Sequence, residues 1–296
     1  MSVAAVDLSV VLVNYNTREL LGRTIAAVLT AGASLAVEVV VVDNASADGS
    51  AEMVREQFPG VRLLANDHNR FYAPGNNQGI AATRGRYVLV LNPDARPEPG
   101  TLEAMVAWMD AHPDAGVMAP LLAFSDGRVQ RNCATLRTFE QFLLEYTVWG
   151  LLRPGRRRTV LDSHWYGAWD RSTPRDVGVV PGSCMLVRRS VIDQVGAFDE
   201  RLLMYFTEDD WCLRIAAGGW RVCYAPVGRV VHDESASVVQ RRRPTRAIYF
   251  RDMVRYTRTH FGPGRALVLR VLAEPTRWLL DLSAAIRGEV GHRGRA

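Results

Sequence analysis

An alternation near the start of the chain constrains its fold most. Three short β-rich runs, Leu8–Val13, Val37–Val42 and Tyr87–Leu91, are apolar at nearly every position, and each stops at a polar cluster. The clusters are Asn14-Tyr15-Asn16, Asp43-Asn44-Ala45-Ser46 and Asn92-Pro93-Asp94. Continuous apolar runs belong to strands buried on both faces, the condition of a parallel sheet covered by helices. Helical patterns over 18–30, 50–57 and 76–83, with a further strand at 61–64, fill the intervals. The order predicts a Rossmann-like, mostly parallel α/β sheet flanked by helices, with ligands bound beyond the carboxyl ends of the strands. Asn, Asp and Ser at a strand end commonly make turns and helix caps, and each cluster alone reads that way. Three of them at the same edge point to a site.

Farther along, the periodicity weakens. Residues 118–177 read as a loop-dominated insertion with an arginine-rich stretch around Arg153 and Arg156 and an aromatic one around Trp165 and Trp169. Strands are expected at Val177–Val180, Cys184–Val187 and Arg221–Ala225, and helices at Ser190–Val195 and from about Thr207 to Ala217. Beyond Pro244 the pattern is helical and amphipathic, with breaks expected at Gly262-Pro263-Gly264 and near Pro275.

Composition removes several chemistries. All 36 basic residues are arginine. A lysine Schiff base, the P-loop lysine and the strand lysine of protein kinases are therefore excluded. The net charge of +5 is unevenly spread: residues 241–296 carry 13 Arg against four acids, and residues 1–240 carry 23 Arg against 27 acids. A basic, partly apolar end is read two ways, as a solvated arginine-rich tail or as a surface that meets anionic lipid or an acidic partner. The four cysteines form no C-x-x-C pair, so they read as core thiols of a reducing compartment. Leu8–Val13 reads as a first strand, not a signal sequence, and no apolar run approaches the ~18 residues of a spanning helix. The expected location is cytoplasmic, with at most peripheral contact at the inner face of a membrane.

Two acidic features carry candidate chemistry. Asp94, just past a buried strand, suits a hard cation or a ribose, with Asn92 beside it; Asn-Pro-Asp is also an ordinary turn. In Thr207-Glu208-Asp209-Asp210, three adjacent carboxylates repel one another unless a helix start, a cation or a substrate offsets them. Thr207 is expected to cap that helix, and acidic first turns are common. The functional reading makes one carboxylate a general base, walled from water by Phe198–Phe206.

Taken in order, Val13-Asn14-Tyr15-Asn16, Val42-Asp43-Asn44-Ala45-Ser46, Asn69 to Gly79, Leu91-Asn92-Pro93-Asp94, Gly182, Gly196-Ala197-Phe198-Asp199 and Thr207-Glu208-Asp209-Asp210 resemble the family-2 glycosyltransferases, and most closely the bacterial rhamnosyltransferase-like branch. The resemblance spans roughly residues 8–235. It implies a GT-A fold and inverting transfer of a sugar from a nucleotide-diphosphate donor, with Mg²⁺ or Mn²⁺. On the matching positions, it implies nucleotide-sugar contacts from Val13, Asn14, Tyr15, Asp43, Asn44, Asn77, Asn92, Pro93 and Asp94. It further implies metal ligation by Asp94 and His232, a general base at Asp209 with Glu208 beside it, and an acceptor side at Gly182, Asp210 and Trp211. The implied partners are the donor and a glycan, lipid-linked or small-molecule acceptor, with no nucleic acid. Residues 1–240 are expected to form the catalytic domain, with a nucleotide-binding half to about 120 and an acceptor half beyond it. Residues 241–296 are expected to form a basic, amphipathic helical extension, whose apolar residues suit either peripheral membrane contact or a core-packing helix pair. Asn92 stands where the family's first metal-motif acid often is, and Phe71 where a glycine is usual.

The same residues admit two other enzyme classes and one non-enzymatic reading. A nucleotidyltransferase usually has a Gly-rich loop and a lysine after the first strand, neither of which Asn14-Tyr15-Asn16-Thr17 supplies. A glycoside hydrolase would use Asp94 and Asp209 as its flanking carboxylates. An inactive carbohydrate-binding relative would follow if Asn92 abolished metal binding.

Overall fold

The structure, a computed structural model, describes residues 6–232 and 243–286. Asp233, Glu234, Ser235, Arg241 and Arg242 therefore lie outside the described residues. The first half runs β1 (Leu8–Asn14), α1 (Arg18–Ala31), β2 (Val37–Asp43), α2 (Ser50–Gln57), β3 (Arg62–Ala65), α3 (Tyr72–Ala81), β4 (Tyr87–Leu91), β5 (Ala95–Pro97), α4 (Thr101–Ala111) and β6 (Ala115–Ala123). There follow α5 (Phe139–Tyr146), α6 (Trp149–Leu152), α7 (Pro154–His164), β7 (Arg175–Asp176), β8 (Cys184–Arg188), α8 (Arg189–Val195), α9 (Thr207–Ala217) and β9 (Arg221–His232). Two long helices, α10 (Arg243–Phe261) and α11 (Pro263–Ile286), close the described chain.

One nine-stranded sheet organises the molecule, in the order β3-β2-β1-β4-β8-β6-β9-β5, with β7 also on β9. Strands β3, β2, β1 and β4 pair in parallel, as the alternating pattern requires. Beyond β4 the ladder is mixed: β8 enters antiparallel between β4 and β6, and β6 pairs in parallel with β9. The inner strands are buried on both faces, and helix α3 lies so close to β1 that a Cβ on Gly79 would meet Val11 Cγ1 at 2.3 Å. Only glycine lets the helix approach that far.

Three sequence expectations change. The region 118–177 is not loop-dominated: it carries β6 and three helices. The first of them starts with a capping box, in which Thr138 accepts from the Gln141 N–H and the Gln141 side chain accepts from the Thr138 N–H. No strand spans Val177–Val180; Val179 makes only an isolated bridge to Ala134. The helix expected to break at Pro275 runs through it, because loss of one backbone donor is tolerated in a helix held by packing of Leu269 and Ala273.

Those C-terminal helices share a core with the body. Phe142 of α5 and Phe206 ahead of α9 pack with Phe250, Met253, Tyr256 and Leu269. Asp252, fully buried, accepts the backbone N–H groups of Leu203, Met204 and Tyr205 at 3.0, 3.0 and 3.2 Å. It thereby shapes the turn that leads into α9. Asp252→Ala leaves three half-buried backbone donors without their acceptor and is expected to cost about 3 kcal/mol, read as a lowered thermal midpoint. Among the described residues, no helix is long and apolar enough to cross a membrane. The outer side of α11 nevertheless exposes Leu267, Val271, Trp278 and Leu279, and α6 exposes Leu151 and Leu152.

Candidate active site

The strand ends do converge, and their side chains first bind one another. Asn14 Nδ2 donates to Asp43 Oδ1 at 2.8 Å and to Ser46 Oγ at 3.0 Å, while Asp43 Oδ2 accepts the Ser46 N–H. Asn44 Nδ2 donates to the Phe71 carbonyl at 3.1 Å, and its Oδ1 accepts from Asn66. Asn14, Asp43 and Asn44 are buried, Val13 is half-buried and Tyr15 is exposed at the rim. Phe71 adopts φ 67° and ψ −171°, a region essentially reserved for glycine. Its backbone is pinned there by Asn44 and by Asn69 Oδ1, which accepts the Phe71 N–H. Asn77 is committed to a clamp: it accepts the Phe198 N–H and donates to the Phe198 carbonyl and to Glu200, tying α3 to the loop before α9.

At the end of β4, Pro93 offers its carbonyl to Thr24, Asn92 stays half-buried, and Asp94 is buried. β9 runs antiparallel to β5 and sets His232 opposite Ala95, which brings the imidazole to Asp94: Nε2 lies 3.4 Å from Oδ1. Asp94 Oδ2 and His232 Nε2 are both buried without a hydrogen-bond partner. The other ring nitrogen faces Gln130 Oε1 at 3.1 Å, an acceptor, so Nδ1 donates there and Nε2 is turned toward the carboxylate. A buried carboxylate with one unpaired oxygen beside an imidazole with an unpaired nitrogen fits a cation held between the two side chains. Among the described residues no third His, Cys, Asp or Glu joins them. One carboxylate and one imidazole, completed by donor phosphates, suffice for Mg²⁺ or Mn²⁺.

A cavity of about 210 Å³ lies beside this pair, walled by Glu208, Asp209, Ser183, His232, Arg137 and Asn132. Phe206, not Thr207, occupies the cap position of α9, with φ 60°; the Thr207 hydroxyl donates to Glu208 Oε2 at 2.8 Å instead. Asp209 therefore enters the first turn buried, with Arg137 Nε 3.6 Å from its Oδ1. Burial pushes the Asp209 carboxyl up to about 7; Arg137 opposes that rise and the Glu208 charge adds to it. Arg137 also donates to Glu145 at 2.9 Å and lies over the rings of Phe206 and Phe142. Burial lowers His164 to about 4, so this part of the wall is neutral at pH 7.

The remaining candidates do not meet the cavity as expected. Asp210 turns toward the C-terminal helices, bound by Arg214 at 2.8 Å and His260 at 2.9 Å, and Trp211 is fully buried with its Nε1–H on the Gly196 carbonyl. Successive residues of a helix project about 100° apart, so Glu208 and Asp209 line the cavity while Asp210 and Trp211 point away from it. Gly182 sits against Tyr72, whose hydroxyl donates to the Gly182 carbonyl at 2.6 Å. Arg137, Gln130 and Asn132 escaped the sequence reading, since they lie in the insertion whose periodicity is weak and no motif marks them.

The family model described as Glycosyl transferase family 2 matches residues 9–196. The chain belongs to this family. Its sequence is 30% identical to N-acetylglucosaminyl-diphospho-decaprenol L-rhamnosyltransferase of Mycobacterium tuberculosis, over 96% of this chain and 92% of that one. It is also 30% identical to the pre-mycofactocin glycosyltransferase of that species, over 67% of this chain and 37% of the relative. Among solved structures it resembles a mannosyltransferase from Pyrobaculum calidifontis in complex with GDP-Man and Mn²⁺. That match has a TM-score of 0.56 and 20% identity, over 98% of this chain and 77% of that one. GalNAc-T7 with UDP, GalNAc and Mn²⁺ matches with a TM-score of 0.56 and 16% identity, over 77% and 44% of the two chains. The fold of this glycosyltransferase is GT-A, with C-terminal helices added.

Proposed function

We propose that this glycosyltransferase moves rhamnose, with inversion, from a nucleotide-diphosphate donor to a hydroxyl of a lipid-linked N-acetylglucosaminyl diphosphate. The observation that carries the sugar and the acceptor is the 30% identity to the mycobacterial rhamnosyltransferase along 96% of the chain. The expected test incubates the full chain with a panel of nucleotide sugars and a short-chain N-acetylglucosaminyl diphospho-lipid, reading products by mass. Preferred transfer of a hexose, or donor hydrolysis indifferent to acceptor, would overturn it.

In this reading Asp94 and His232 hold the divalent ion, which when bound neutralises the departing diphosphate. The network of Asn14, Asp43 and Asn44, with Val13 and Tyr15 at its rim, receives the nucleotide, and Asn92 and Pro93 form the turn beneath the phosphates. Asn77 serves by holding the 198–200 loop in place. Asp209 accepts the acceptor hydroxyl proton as that oxygen attacks the anomeric carbon from the face opposite the leaving group. Glu208 lies beside it and keeps the base from ionising too early. Proximity supplies most of the remaining acceleration.

The ionisation of Asp209 sets the pH dependence. The carboxylate is the active form, so kcat/KM is expected to rise with pH through about 7 and then level. Arg137 favours the ionised form. Arg137→Gln is therefore expected to move that limb upward by about one pH unit or more, measured as a kcat/KM profile.

Residues 1–240 form the catalytic domain in this proposal, and residues 241–296 the extension. The exposed apolar residues of α11, with Arg265, Arg270 and Arg277 among them, lie on the inner face of a membrane that carries the acceptor. Co-sedimentation with anionic liposomes, full chain against a chain ending at Gly262, tests this; equal binding would sink it.

A further inference from the structure

Asn132 stands out among the cavity residues. Its side chain is 7% exposed, it lines the cavity that holds Asp209, and neither Oδ1 nor Nδ2 has a partner. A buried carboxamide with both ends unpaired is rare in folded proteins. The backbone around it is held in place: the Asn132 carbonyl accepts from Arg171 Nε and Nη2 at 3.2 and 3.1 Å, and the next residue, Cys133, takes φ 57°. Arg171 itself sits at φ 62°. Left-handed backbone at non-glycine residues persists only where surrounding structure enforces it, often at ligand clamps.

We infer that Asn132 grips the acceptor sugar, its carboxamide pairing with two adjacent polar substituents of the ring whose hydroxyl faces Asp209. This rests on the transferase function proposed above. A carboxamide offers one donor and one acceptor side by side, uncharged. It suits neighbouring hydroxyls, or a hydroxyl beside an acetamido group, and not a phosphate, which only accepts. A space of about 210 Å³ corresponds to roughly seven waters, the scale of a single sugar ring. Trp165, Val179 and Val180 give it an apolar wall for the ring face. Asp209 and His232 both line the cavity, so this space reaches from the base to the cation pair, where the acceptor ring must meet the donor.

The test is ligand-observed saturation-transfer NMR on the full chain with octyl N-acetyl-α-glucosaminide, in Mg²⁺, with uridine and thymidine diphosphates titrated separately. Asn132→Leu is expected to weaken the glycoside about tenfold or more while nucleoside-diphosphate binding stays within about twofold. Asn132→Thr, which puts a single hydroxyl in place of the carboxamide, is expected to fall between Asn132→Leu and the wild type. Unchanged glycoside affinity in either variant, or a selective loss of nucleotide binding, would overturn the assignment, as would a wild-type chain that does not bind the glycoside. If Asn132→Leu loses every ligand, the Asn132→Thr titration decides on the same criterion. Glycoside binding that depends on Asn132 in a chain that transfers no sugar would overturn the proposed transfer and with it the acceptor role, leaving Asn132 a sugar-binding residue only.

Discussion

Asp209→Asn is expected to lower kcat by about 10²–10⁴-fold, the ordinary contribution of a positioned general base, with donor affinity retained. The same substitution is expected to stabilise the protein at alkaline pH. The folded-state pKa of about 7 lies above the ordinary 3.8, because burial disfavours the carboxylate. The native state thus holds this proton more tightly than the unfolded chain, and stability falls as pH rises from about 4 to about 7. Above 7 the penalty is complete, up to roughly 4 kcal/mol on that difference. Asparagine carries no such penalty. Thermal midpoints at pH 8.5 should therefore be higher for Asp209→Asn than for the wild type, and the gain should shrink toward pH 4. An inactive variant with no alkaline gain in midpoint would mean that Asp209 is not buried as described; full activity would remove it from the base role.

The second large effect is expected at Asp94. Asp94→Ala removes the only carboxylate of the Asp94–His232 pair and is expected to cost several kcal/mol of transition-state charge stabilisation, about 10²–10³-fold in kcat/KM. A readout independent of turnover is the thermal shift with Mn²⁺ and a nucleoside diphosphate. Saturating ligand at about 100 Kd stabilises the wild type by about 2.7 kcal/mol, and the metal-dependent part of that shift should vanish in the variant. A metal-dependent shift equal to that of the wild type would dismiss Asp94 as a ligand. Asn92, an uncharged neighbour half-buried on the same turn, carries no charge to replace that of Asp94.

Much of the first half of the molecule was legible from periodicity. Val10, Leu12, Val39, Val41, Leu89 and Leu91 are buried because continuous apolar runs admit no other arrangement than strands covered on both sides. The polar residues that end those strands were legible as a site edge, though Asn14, Asp43 and Asn44 turned out to spend their hydrogen bonds on one another. The acidic start of α9 was also legible, but not which acid points inward. That choice follows from the start of the helix at Thr207 after a left-handed Phe206, a geometry that local preference for a threonine cap opposes. The insertion was the least legible part, because α7 has no apolar face and its neighbours α5 and α6 are short.

The sequence by itself determined the parallel half-sheet, its site edge and the family, since hydrophobic period and strand-end chemistry are local properties of the chain. Tertiary structure alone decided which groups meet. Gln130 and His232, 102 residues apart, set each other's hydrogen bonding and turn Nε2 toward Asp94. Arg137 reaches Asp209 only because α5 packs beneath Phe206 on the C-terminal helices. Such pairings depend on the register of β9 against β5 and on a shared aromatic core, and no local pattern encodes either one.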